Sequence, residues 1–136
     1  MMDFLKSIAV AASGMRAQAG RMRIIAENIA NADSTAKTAG GDPYQRQTPV
    51  FQTALVAAGA KGVQMTRVGH DSTPFREEYQ PGNPAADAKG YVKMPNVDPL
   101  IESLDMREAQ RAYEANLSVI ETARAIQTST IDLLKK

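Results

Sequence analysis

Residues 98–136, DPLIESLDMREAQRAYEANLSVIETARAIQTSTIDLLKK, decide the fold of this chain. Asp98 can cap a helix, and Pro99 suits the first helical position, where a missing N–H costs nothing. No further proline or glycine interrupts the chain up to Lys136, so the spacing predicts one helix of roughly 55 Å. Ala109, Ala112, Asn116, Val119, Ala123, Ile126, Thr130 and Leu133 step along it by threes and fours, which keeps them on one stripe. Tyr113, Leu117, Ile120, Ile131 and Leu134 widen the apolar surface beyond what one partner helix covers. Glu102 and Asp105 near the start, with Lys135 and Lys136 at the end, follow the helix dipole.

The N-terminal stretch mirrors this pattern. Leu5, Ile8, Ala12, Met15, Ala19, Met22, Ala26 and Ile29 form a second stripe, on a helix predicted to run from an N-cap at Asp3 to about Asn31. Its small residues let a neighbouring backbone come close, and Gly14 and Gly20 weaken it in isolation by about 1 kcal/mol each. Between the helices lie Pro43, Pro49, Pro74, Pro81, Pro84 and Pro95, with most of the glycines. Strand-like alternation appears at Tyr44–Phe51, Val63–Val68, Pro74–Tyr79 and Gly90–Met94, and Pro49 marks the first of these as an edge.

The predicted class is therefore mainly α with a small β-rich insert. Long N- and C-terminal helices pair as an antiparallel coiled-coil-like hairpin, with an irregular β-hairpin and loop segment between them. The expected divisions are an N-terminal axial helix (1–32), the insert (33–96) and a C-terminal axial helix (97–136), the two helices forming one axial domain.

Composition narrows the function. The chain has 136 residues, 43% of them apolar and only 5% aromatic, with no Trp, so large core-filling side chains are scarce. Sixteen basic against fifteen acidic residues give a net charge of +1, which offers nothing to nucleic acid and little to a membrane surface. The absence of Cys excludes disulfides and thiolate metal sites. No window approaches a membrane span. Ile8–Gly14 faintly resembles a signal peptide's apolar region, but the run is short and the helical pattern continues past it, so no cleaved signal is expected.

No chemistry-bearing constellation emerges. His70, beside Asp71 and Ser72, has no second imidazole or thiolate and reads as an exposed loop residue. Glu77 and Glu78 are strand neighbours that face opposite sides. Gly40-Gly41-Asp42-Pro43 lacks the lysine and following helix of a phosphate loop and reads as a turn. Ser7 and Ser13 have no nearby base. Arg16, Arg21 and Arg23 read as a solvated helix face, and Arg107–Arg111 as surface charge pairing. No catalytic residue, cofactor or metal site is assigned.

The segment Ile25-Ala26-Glu27-Asn28-Ile29-Ala30-Asn31-Ala32-Asp33 carries an Asn-aliphatic-Ala-Asn core. It resembles the signature of the axial proteins of the bacterial flagellum, the rod, hook and hook-associated proteins. Tyr79–Asp98 (YQPGNPAADAKGYVKMPNVD) is very similar to the corresponding stretch of the proximal-rod branch of that family, and Tyr113-Glu114-Ala115-Asn116 resembles an element of its C-terminal helix. The resemblance spans essentially the whole chain. Pro99 stands where an aliphatic residue is expected, and the loop 34–42 is idiosyncratic.

The resemblance implies a structural subunit of the basal-body rod, assembling through its terminal helices into the periplasm-crossing drive shaft and export channel. Implied partners are other rod proteins, copies of the chain itself and the flagellar type III export apparatus, with no nucleic acid, small-molecule substrate or membrane span. The implied location is the periplasmic rod, reached without a cleaved signal. The expected assembly seam comprises Leu5, Ile8, Met15, Met22, Ile25 and Ile29 on one helix. On the other it comprises Ala112, Asn116, Val119, Ile120, Ala123, Ile126 and Leu133. The family-motif residues are Asn28, Ile29, Ala30, Asn31, Tyr113 and Asn116. Competing expectations are a soluble helical adaptor or export chaperone, and a periplasmic hydrolase.

Overall fold

The computed structural model describes residues 2–135. Helix α1 spans Met2–Ala30 and helix α2 spans Pro99–Leu134. Between them lie strands β1 (Gln47–Leu55), β2 (Lys61–His70), β3 (Arg76–Tyr79) and β4 (Tyr91–Met94). The class is the expected one. The strands fall within a few residues of the alternating stretches, because their ends are set by turns rather than by alternation.

Three local expectations need correction. Asp3 sits inside the first turn of α1 and does not cap it. His70 is exposed, as expected, but it is the last residue of β2 and not part of a loop. The basic end expected of α2 is missing, since its last turn holds no basic residue, Lys135 follows the helix and Lys136 lies outside the described residues, whereas Glu102 does stand in the first turn and is fully buried. Pro99, in contrast, does open α2, and the Leu100 N–H donates to Asp98 Oδ1 at 3.0 Å, which makes Asp98 the N-cap.

The chain divides into two compact units, each assembled from separated segments. Among the described residues, the first unites 2–22, 49–67 and 107–135. Here the N-terminal part of α1 runs antiparallel to α2. Phe4 and Ser7 share a cleft with Val119, Ala123 and Ile126, Gly14 lies against Asn116, and Arg21 pairs with Glu108 at 3.6 Å. An ideal Cβ on Gly14 would stand 2.7 Å from Asn116 Nδ2, so glycine is what permits this approach. On another face, α1 carries the β1–β2 sheet. Ser13 Oγ donates to Val10 O at 2.6 Å and accepts the Val63 N–H at 3.1 Å, while a side chain on Gly62 would run into Ser13.

The second unit unites residues 23–48 and 68–106. Strands β3 and β4 pair antiparallel, from Arg76 opposite Met94 to Tyr79 opposite Tyr91, and the two tyrosine rings close the ladder edge-on at 5.3 Å. Ala85, Val92 and Met94 form its packed centre, with Ala36 and Ala86 against it. The loop from Gln80 to Gly90 holds itself in shape: Asn83 Oδ1 accepts the Ala85 N–H, and Asp87 Oδ1 accepts those of Lys89 and Tyr91.

Candidate assembly interface

The two units bury different kinds of side chain. Among the described residues of the first, the buried positions are Ala11, Ser13, Ala17, Ala109 and Ala123. Leu5, Leu55, Leu117, Val119, Ile126, Ile131, Leu133 and Leu134 of the same unit are exposed, Leu134 at 82%. The second unit buries Ile24, Ile25, Val92, Met94 and Val97 in the ordinary way. Small residues let the two helices and the hairpin approach closely, and the branched side chains that could fill a core point outward instead.

The expected seam residues divide accordingly. Ile25 and Ala123 are buried within the chain, at 2% and 6%. Ile8, Met15, Met22, Ala112, Asn116 and Ile120 are half-buried, and Met15 shares a shallow cleft with Ala12, Ala19 and Tyr113. Leu5, Ile29, Val119, Ile126 and Leu133 are exposed. On α1 the residues that meet α2 include Phe4, Ser7, Gly14 and Arg21, one position behind the stripe of Leu5, Ile8, Met15 and Met22. That leaves the latter stripe on the flank of the helix pair.

The family motif is held by polar geometry. Asn28, 1% exposed, clamps the backbone of Gln47 from both sides. Its Nδ2 donates to Gln47 O and its Oδ1 accepts the Gln47 N–H, both at 2.9 Å, as a neighbouring strand would. Tyr44 Oη donates to the same Oδ1 at 2.7 Å. Burial first, then the charges of Glu27 and Glu102, raise the Tyr44 phenol above its ordinary 10.0, which keeps it a donor. Asn31 follows the end of α1, where its Nδ2 donates to Glu27 O at 2.8 Å and so caps that carbonyl. Ile29 and Ala30 face outward.

Sequence reasoning missed a second polar group. Arg46 Nε pairs with Glu102 Oε1, its Nη1 lies 3.4 Å from Asp71 Oδ2, and its N–H donates to Asn96 Oδ1 at 2.7 Å. Asn96 Nδ2 in turn donates to the Asp71 and Thr73 carbonyls. The usable signal was Arg46 itself: an arginine within a half-buried strand stretch requires a counter-charge. Nothing in the sequence singled out Glu102 among the acids of α2.

Comparison with known proteins defines the class first. Residues 8–36 match the family described as flagella basal body rod protein, and residues 88–133 the one described as flagellar basal body rod FlgEFG protein C-terminal. The flagellar basal-body rod protein FlgC of Agrobacterium fabrum is 54% identical over 127 residues, covering 93% of this chain and 91% of that protein. FlgC of Escherichia coli is 41% identical over 97% and 98% of the two chains, and FlgC of Aquifex aeolicus 37% over 99% and 100%. The chain belongs to the FlgC family of flagellar basal-body rod proteins and is a structural subunit of the basal-body rod. Among the described residues no helix is long and apolar enough to cross a membrane.

Proposed function

We propose that the terminal helices act as one axial domain, and that its outward apolar side chains are the seam by which the subunit joins its neighbours in the rod. The observation that carries this reading is the inversion in the first unit, alanine and serine inside with leucine, isoleucine and valine outside. Fully burying one such side chain stabilises by about 1.5–3 kcal/mol. An alanine-lined interior recovers little of this against backbone ordering of about 1–2 kcal/mol per residue. Neighbouring subunits supply the remainder, so the first unit orders fully on incorporation. Delayed ordering also suits passage through the flagellar type III export apparatus, and it discourages polymerisation before delivery to the periplasm. The role is mechanical, as drive shaft and channel wall, and not enzymatic.

The test is Ile126→Asp and, separately, Leu133→Asp. Both positions are exposed in the chain, so each variant stays soluble with the unfolding transition of the second unit unchanged. In the rod each places an unpaired charge in an apolar contact, at a cost of several kcal/mol, and rods and motility are lost. Normal rods in both variants would contradict the seam. A variant that binds one cytoplasmic partner and never enters basal bodies would favour an adaptor or chaperone instead.

A further inference from the structure

We propose that the acid-lined cleft at the start of α2 receives Arg23 from a second copy of this chain, which rests on the rod-subunit reading above. The cleft, about 220 Å³, is lined by Asp71, Asp98 and Glu102 with Arg46, Thr73 and Asn96. Three acidic residues thus line the cleft with a single arginine, which pairs with Glu102 and Asp71. Arg46 serves Oε1 of Glu102, and the other oxygen, Oε2, is buried with no hydrogen-bond partner. Glu102 is 0% exposed. A buried carboxylate oxygen without a donor is costly, so the cleft lacks one cationic donor. Ile101 on its lining is 56% exposed, and Leu100 and Leu104, its neighbours on α2, are 70% and 56% exposed, so an alkyl stem can lie on Ile101 while its charged head enters. A guanidinium fits better than an ammonium, because its planar fork can serve two carboxylates at once.

The same unit carries the matching piece. Arg23 is exposed, and no ion pair engages it among the described residues. It stands on an exposed face of α1 with Ala26, Ala30 and, one turn on, Glu27, and Ile29 lies at the edge of that face, so a largely small-residue ridge bears Arg23 beside one acid. Ridge and cleft are different patches. A contact between them is heterologous and repeats from copy to copy without closing a two-fold dimer, as a rod requires.

The chain has no cysteine, so new thiols report cleanly. Ala26→Cys and Ile101→Cys, which leave every charge in place, are co-expressed as separate chains in cells lacking the natural gene. Isolated basal bodies are then treated with a short bismaleimide. The expected result is a covalent dimer that needs both variants and disappears when the Ile101→Cys chain also carries Asp98→Asn and Glu102→Gln. Basal bodies that contain both variants yet give no dimer would overturn the contact alone. Absence of the chain from basal bodies formed by wild type would instead overturn the rod reading. In a second measurement Asp98→Asn, which still caps α2, lowers rod yield at least tenfold while the thermal transition of the free chain is unchanged. Wild-type yield from Asp98→Asn and Glu102→Gln alike would refute the proposal.

Discussion

Asn28 shows how one side chain can replace a strand. Its amide satisfies both backbone groups of Gln47, and its oxygen also takes the Tyr44 proton. Asn28→Ala leaves those buried groups unpaired, so unfolding of the second unit should become easier by about 2–4 kcal/mol in urea titration. Tyr44→Phe should cost about 1 kcal/mol; equal losses would mean the clamp on Gln47 carries no special weight. Asp71 gives a pH signature. The Thr73 hydroxyl first, then the Thr73 N–H, hold its carboxyl below its ordinary 3.8. A carboxyl depressed in the folded state stabilises above its unfolded value, and that contribution is lost as pH falls through the folded value. Thr73→Ala should therefore be less stable than wild type at about pH 6, and the gap should close in acid. A gap independent of pH would place the effect elsewhere.

At the scale of the element, helices were legible and their facings only partly so. Uninterrupted spacing and the Asp98-Pro99 pair located α2, because capping and the chemistry of proline act locally. The facing of α1 was ambiguous for a physical reason. Alanine, serine and glycine occur on several of its faces, so periodicity separates neighbouring stripes poorly where nothing large is buried. The helix used Gly14 against Asn116 and Ser13 against β2, two contacts that depend on small size and a hydroxyl. The Asn-Ile-Ala-Asn core was legible as a motif, and Asn28 does lie in the last turn of α1, but its partner, Gln47, is nineteen residues away and invisible to local pattern. The Arg46–Glu102 pair spans fifty-six residues and was hidden for the same reason. Gly62→Ala tests the hairpin contact. The added methyl meets Ser13, so β2 must move off α1; rod yield should fall while unfolding of the second unit is unchanged. Unchanged rods would show that the hairpin tolerates displacement.

At the scale of the molecule, the two units have opposite textures, and the proposed function predicts different stabilities for them. The second has a branched aliphatic centre and a dense polar frame, and it should hold its fold alone. The first keeps its large apolar side chains outside and, on that proposal, depends on what surrounds it. Such a division would suit a subunit that travels before it assembles, with the part committed to polymer contacts becoming rigid last. Amide hydrogen exchange of the dilute free chain, compared with that of isolated basal bodies, tests this most directly. In the free chain, residues 2–22 and 107–134 should exchange far faster than residues 23–48 and 68–106, and in basal bodies both sets should be protected. Equal, strong protection of both sets in the dilute chain would contradict the account.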